Sequence, residues 1–323
     1  MLKDNLPLVS IVITSFNCAK FINAAIASVL EQDYPNLEVI VSDNCSTDDS
    51  KKIISKFFYD DRLHFYENPT NIGMMPNFLR ATKELASGKY ITYVSSDDYL
   101  VNSNFISEAI ARIQQNDDIS IVHSINLSEV TETGNIYTDY SAIYYKNSFY
   151  KRNSVPGIEV IKAFPKCHAI SFGGTLFSRQ MLLSCKPFED ETFSGDTQVI
   201  LKLLTKGDVS FIDKETYVAR RHEGSATFSN AKAETYINNL DYINAPYEVF
   251  LLDDRFGEFE AKLWKEKMYN YASNQIMRQL YIKNRDEFGL FVDYLCQNSP
   301  QALRKVEKSF GWKLFTFINK LII

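Results

Sequence analysis

The sequence predicts an α/β fold, a mostly parallel sheet flanked by helices and followed by a C-terminal helical appendage. In the first hundred residues, short β-branched runs alternate with segments of helical periodicity, the signature of βαβ units. Proline, glycine and asparagine interrupt those segments where the chain has to turn. From about residue 228 the strand-like runs stop, and long helical patterns rich in Tyr, Asn and Lys replace them. The expected division is a domain over 1–227 and a helical region over 228–323.

Val9 to Ile13 is the first strand. Residues 19 to 31 follow with Ile22, Ile26, Val29 and Leu30 at helical spacing, until Tyr34-Pro35-Asn36 breaks the pattern. Leu37 to Val41 makes a second strand, 48 to 58 a second helix, and Arg62 to Glu67 a third strand in which Leu63 and Phe65 alternate. Pro76 suits the first turn of a helix and Gly88 its exit. Lys89 to Val94 is the fourth strand, with a helix over 103 to 115 and a strand at Ile119 to Leu127 after it. The stretch from 129 to 157, rich in Tyr, Ser, Thr and Asn, reads as an irregular lid or acceptor loop. Phe172 to Phe177 is a strand entered through a glycine pair, Thr197 to Lys206 a helix closed by Gly207, and Val209 to Arg220 a returning strand.

A chain of 323 residues, 45% hydrophobic and 23% charged, can bury a sizeable core. Its net charge of −5 excludes general nucleic-acid binding, which needs clustered Lys and Arg. Five scattered cysteines without CxxC spacing predict reduced thiols rather than a disulfide framework or a zinc site. No apolar leader and no stretch of about 18 apolar residues occur, so a cytoplasmic protein without a membrane span is expected. In the tail, Arg304 to Ile323, a helix would carry Leu314, Phe315, Ile318, Leu321 and Ile322 on one face and Lys313 and Lys320 on another. Such a helix either lies on an anionic membrane surface or packs on its own core.

In open α/β sheets ligands gather beyond the carboxyl ends of strands. Thr14, Ser15 and Asn17 follow the first strand, Asp43, Asn44 and Ser46 the second, and Ser95, Ser96, Asp97 and Asp98 the fourth, so these residues should share one crevice. Adjacent carboxylates such as Asp97 and Asp98 suit a divalent cation, and they are also common in turns. Asp43 can accept a ring N–H from a nucleotide base, while the same segment can be a plain strand-to-helix turn capped by Ser46 or Thr47.

Taken in order, Val9 to Asn17, Val39 to Asp48, the Asp97-Asp98 pair, Gly195-Asp196 and Arg220-Arg221-His222-Glu223-Gly224-Ser225 resemble the nucleotide-sugar-dependent glycosyltransferases of family 2. The resemblance covers roughly residues 7 to 228 and implies a GT-A fold and an inverting transferase of the bacterial surface-polysaccharide type. It implies that Asp97, with Asp98 beside it, ligates Mn²⁺ or Mg²⁺ on the donor diphosphate, and that His222 completes that site. Arg220 and Arg221 would offset phosphate charge, although strand alternation lets only one of them face the site. Ser95 stands where the family has a first acid, which weakens metal affinity and leaves Ser95 to contact ribose or a cation-bound water. Asp196 falls at the catalytic base, with Gly195 replacing the usual Glu; its helix N-terminus lowers the pKa and burial raises it.

Asn71-Ile72-Gly73, with Asn77 and Arg80, matches the family's Asn-x-Gly segment, whose side chains reach the nucleotide. Gly173 and Gly174 would let an acceptor sugar approach the backbone, or simply make a tight turn. The implied partners are a nucleotide-diphosphate sugar, a UDP-sugar foremost, and a saccharide or lipid-linked saccharide acceptor. A sugar nucleotidyltransferase would share the crevice but needs a Gly-rich basic loop that Thr14 to Lys20 lacks. A non-catalytic nucleotide- or carbohydrate-binding scaffold would account for the losses at Ser95 and Gly195.

Overall fold

The computed structural model describes residues 6–138, 149, 152–163, 170–189, 195–222, 232–308 and 313. Nine strands form one sheet: β1 (Val9–Ser15), β2 (Leu37–Asp43), β3 (Leu63–Glu67), β4 (Tyr90–Ser95), β5 (Tyr99–Leu100), β6 (Ile119–Val130), β7 (Asn135–Thr138), β8 (Thr175–Ser178) and β9 (Asp208–Arg221). Their order is β3-β2-β1-β4-β8-β6-β9-β5, with β7 paired to β6 off that path. From β3 to β4 all pairings are parallel. Parallel neighbours need crossover connections, and α1 (Ile22–Leu30), α2 (Ser50–Ile54) and α3 (Met74–Arg80) lie in them. β1 is apolar without alternation because both its faces are covered; Val9, Ile11, Val12 and Ile13 are fully buried. α1 turns Ile22, Ala25, Ile26 and Val29 inward, the stripe that its periodicity predicts.

Beyond β4 the sheet is mixed. β8 runs antiparallel between β4 and β6, and β6 pairs in parallel with β9 from Ile119–Asp208 to Val130–Arg221 through bulges. β5 then joins β9 antiparallel, Tyr99 opposite Val218. Only Ser96, Asp97 and Asp98 separate β4 from β5 in the chain, yet the two strands hold the fourth and last places in the sheet order. The sheet therefore curls until its last strand returns beside β4. The helices α4 (Phe105–Ile113), α5 (Gly157–Ala163), α6 (Arg179–Ser184) and α7 (Gly195–Leu204) complete this part of the chain.

Two expectations change. The segment expected to be irregular from 129 begins as a hairpin, β6 continuing to Val130 and pairing with β7. All four β7 residues are exposed, so no buried face marks them as a strand. The second helix is shorter than 48 to 58, with α2 giving way to a 3₁₀ turn at Ser55–Phe57.

The chain divides into two compact units, Met1–Ile161 with Lys166–Glu191 and Gly195–Ser225, and Ala226–Ile323 with the short segments Lys162–Pro165 and Thr192–Ser194. The second unit carries α8 (Ala233–Asn239), α9 (Asn244–Leu251), α10 (Glu258–Lys283), α11 (Arg285–Asn298) and α12 (Pro300–Lys308). Its core includes Phe250, which stacks on Phe256 at 4.8 Å and meets Trp264 edge-on at 4.7 Å. Among the described residues no helix is long and apolar enough to cross a membrane. The amphipathic face expected at 314–322 lies outside the described residues.

Candidate active site

Because β1, β2 and β4 are parallel and in register, Thr14 opposite Ser42 and Ser95, their carboxyl ends open on the same side. The loops leaving β1 and β2 are tied together there. The Asn17 N–H donates to the Ser46 hydroxyl at 2.8 Å, and the Thr47 N–H donates to Asn17 Oδ1 at 2.8 Å. Asn17 sits at φ 48, a left-handed conformation that Asn tolerates better than most residues. Asp43 is fully buried; its Oδ1 accepts the Ser46 hydroxyl at 2.6 Å and its Oδ2 the Ser46 N–H at 2.8 Å. Both of its oxygens thus serve the turn. Thr14 is half-buried, and the buried Ser15 hydroxyl has no hydrogen-bond partner among the described residues.

Asparagines hold the neighbouring loop. Asn44 donates to Asn71 Oδ1 at 2.8 Å and to the Gly73 carbonyl, while its own Oδ1 accepts Asn68 at 2.9 Å and the Ile72 N–H. Asn68 also donates to Asn77 Oδ1 and accepts Arg80 at 2.6 Å. Asn77 takes the Ser42 hydroxyl at 2.7 Å. Asn44, Asn71 and Arg80 are therefore brought together, and the atoms named are spent on shaping the loop. Sequence reasoning missed Asn68, whose place before Pro69 reads only as a turn signal.

The turn between β4 and β5 faces the end of β9. Asp97 Oδ2 lies 3.2 Å from His222 Nε2, both side chains partly exposed, and the His222 ring packs on Phe21 at 4.7 Å. Asp98 is turned the other way and buried, accepting the Tyr217 hydroxyl on Oδ2 and the Arg220 N–H on Oδ1 at 2.7 Å. Burial and then the charge of Asp97 push the Asp98 carboxyl up to about 7, against the pull of those two donors. The two arginines point apart as alternation requires: Arg220 pairs with Glu129 at 3.3 Å, whereas exposed Arg221 reaches Ser128 at 3.2 Å. Ser95 is half-buried, with its N–H on the Tyr217 hydroxyl at 3.3 Å, and Ser96 is buried beside it.

Asp196 is the second residue of α7, and its Oδ1 accepts the Thr197 N–H at 2.7 Å. The two opposing influences on it resolve in one direction, since surrounding protein raises its carboxyl more than the Thr197 donors lower it. The residue is nevertheless exposed, so an acceptor hydroxyl can reach it. Gly173 and Gly174 make a close approach to protein: a Cβ on Gly173 would meet the Tyr217 ring, and Gly174, at φ 64, would meet Asn126.

The family model for glycosyl transferase family 2 matches residues 10–182. The chain belongs to this family. The GalNAc(5)-diNAcBac-PP-undecaprenol beta-1,3-glucosyltransferase of Campylobacter jejuni is 26% identical over 284 residues, 86% of this chain and 84% of that protein. Escherichia coli WfaP, a UDP-Glc:alpha-D-GlcNAc-diphosphoundecaprenol beta-1,3-glucosyltransferase, is 32% identical over 142 residues, 44% of this chain and 48% of WfaP. Among solved structures, S. aureus TarS 1-349 in complex with UDP-GlcNAc matches with a TM-score of 0.70 at 20% identity, covering 93% of this chain and 83% of that one. The mannosyltransferase PcManGT of Pyrobaculum calidifontis, in complex with GDP-Man and Mn²⁺, matches with a TM-score of 0.56 at 13% identity, covering 99% and 88%. The fold is that of a GT-A glycosyltransferase.

In family 2 terms, the donor set for a cation is small. Among the described residues no group of three or more His, Cys, Asp or Glu is placed to hold a metal. Asp97 and His222 nonetheless present an oxygen and a nitrogen 3.2 Å apart at an accessible edge. That set fits Mn²⁺ or Mg²⁺ shared with diphosphate oxygens, because such ions often take only one or two protein ligands beside substrate phosphates. Tyr217 and Glu129 were missed from sequence. Tyr217 has there only strand periodicity, which marks a packing position and not a role, and Glu129 falls in the stretch expected to be an irregular loop.

Proposed function

We propose that this family 2 enzyme is an inverting, divalent-cation-dependent hexosyltransferase that moves a sugar from a UDP-sugar to a hydroxyl of a lipid-linked saccharide in surface-polysaccharide synthesis. The observation that carries this reading is the meeting of Asp97 with His222 at 3.2 Å, beyond the strand ends where Thr14, Ser15, Asn17, Asp43, Asn44 and Ser46 gather. Asp97 and His222 would hold Mn²⁺ or Mg²⁺ on the diphosphate, and the bound cation would supply Lewis-acid stabilisation of the leaving group. Asp196 takes the proton from the acceptor hydroxyl. Its raised pKa suits that task, because a base works best when its pKa approaches the working pH. Attack opposite the leaving diphosphate then inverts the anomeric carbon, and the protein's share is alignment.

A lipid-linked acceptor, as the names of the C. jejuni and E. coli relatives state for those proteins, sets the work at the cytoplasmic face of a membrane. The helical region from residue 228, through its tail, would make the contact. Deleting 309–323 and finding liposome association unchanged would remove that contact from the proposal.

Thermal unfolding with UDP, GDP and dTDP, each with Mn²⁺ or with chelator, tests the donor site. UDP at about 100 times its Kd should add about 2.7 kcal/mol of stability. The gain should vanish with chelator and in Asp97→Asn. Stabilisation that survives chelator discards the cation, and no stabilisation by any of the three at millimolar concentration favours the scaffold alternative.

A further inference from the structure

We propose that Asp98, Tyr217, Arg220 and Glu129 form a clamp of positioning residues that sets Asp97 against His222, and that neither the Asp98 carboxylate nor the Arg220 guanidinium touches the donor. This rests on the donor-site reading only for the purpose the clamp serves; the clamp itself is geometry. Both Asp98 oxygens are engaged by β9, one by the Tyr217 hydroxyl and one by the Arg220 N–H, and the residue is 8% exposed. The Arg220 guanidinium donates to the Asp97 carbonyl at 3.0 Å, pairs with Glu129 at 3.3 Å and lies over the Tyr99 ring at 4.3 Å. Its side chain is 14% exposed, with its charge already answered by a carboxylate.

The contacts close into a ring. Arg220 also lies over Phe21 at 5.4 Å, Phe21 packs on His222, and His222 returns to Asp97. Tyr99 hydrogen-bonds Glu129 Oε2 at 3.1 Å, so β5 and β6 brace the same arginine. Tyr217 is itself aimed by the bare Gly173 backbone against its ring. Of the two adjacent acids, one is therefore available to a ligand and the other anchors the turn that presents it.

The test uses the whole chain and reads His222 directly. The chain has four histidines, so His222→Gln assigns the His222 ring resonances in a proton NMR spectrum without metal or nucleotide. Tyr217→Phe removes one hydroxyl and keeps the ring, and Glu129→Gln, the second variant, removes the charge that holds Arg220. In a variant that keeps the wild-type circular dichroism, the His222 resonances should shift and broaden. Mn²⁺-dependent UDP affinity should fall about 10–100-fold, with cation-free UDP affinity unchanged. His222 resonances that keep their positions in both variants overturn the clamp. If UDP, GDP and dTDP all fail to stabilise the wild type, the donor-site reading falls, while the His222 shifts still decide the clamp.

Discussion

Gly173 lies so close to Tyr217 that a Cβ on the glycine would fall 2.3 Å from the tyrosine ring. Real Cβ atoms do not approach that far, so the ring has to move or the backbone has to give. Because Tyr217 is buried, Gly173→Ala should cost about 1–3 kcal/mol by overpacking. Urea denaturation measures it, and a loss below about 0.5 kcal/mol, the range of an ordinary surface change, would show that the ring has room to yield.

Asp196 should separate activity from stability. Asp196→Asn should lower turnover by about 10²–10⁴-fold with nucleotide affinity kept, as loss of a general base does. In the wild type, the acidic limb of the rate profile should lie above the ordinary carboxylate range, since the folded pKa is raised. An acid with a raised folded pKa is penalised once the unfolded chain ionises, so its cost develops as pH rises from the unfolded value of 3.8 towards the folded one. Asp196→Asn should therefore be no less stable than wild type at neutral pH. Calorimetry at acid and neutral pH checks the sign.

Asn68 should matter more than the charged residue it holds. Asn68→Ala removes three hydrogen bonds, although the Asn44 and Asn77 oxygens keep the Ile72 N–H and the Ser42 hydroxyl. Each such bond contributes about 0.5–1.5 kcal/mol. Arg80→Ala removes one hydrogen bond and leaves the buried Asn68 Oδ1 without that donor, a cost of about 1–3 kcal/mol, so its loss should be the smaller. Chemical denaturation of both variants ranks them, and the reverse order would mean that the network is wet.

Thiol labelling should follow burial. Burial pushes the Cys18 thiol up to about 11 and raises buried Cys185 as well, while Cys296 is exposed. At pH 8 a thiol with pKa 11 is about one part in a thousand thiolate, the reactive form. Peptide mapping after brief iodoacetamide treatment should find Cys296 modified and Cys18 intact. Early loss of Cys18 would place it in far more open surroundings.

Much of this architecture can be read in the chain because burial leaves a periodic trace. The runs ending at Ser15, Asp43, Glu67 and Ser95 are apolar and bounded by turn residues, so β1 to β4 and their common open end are legible. β7 has no buried face and β5 is two residues long, existing by virtue of its partner β9. At the site, it is the family resemblance that brings Asp97, Asp98, Arg220 and His222 together. It cannot tell that adjacent acids diverge, one towards His222 and one towards Tyr217, since that depends on a strand more than a hundred residues later. Asp43 and Asn44 are conspicuous in sequence for the same reason that they are busy in the fold: polar residues at a strand end must satisfy their own turn.

The short link from β4 to β5 also limits how far the crevice can open. Four peptide steps join Ser95 to Tyr99 and span about 14 Å at full extension. The strands at either end of that link are the fourth and the last of the curled sheet, so widening the curl means stretching the segment that carries Asp97. Side chains around the rim can rearrange, and loops can swing over it. The gape of the sheet at that point is tethered by covalent bonds, and a ligand too broad for the tether has to enter from another side.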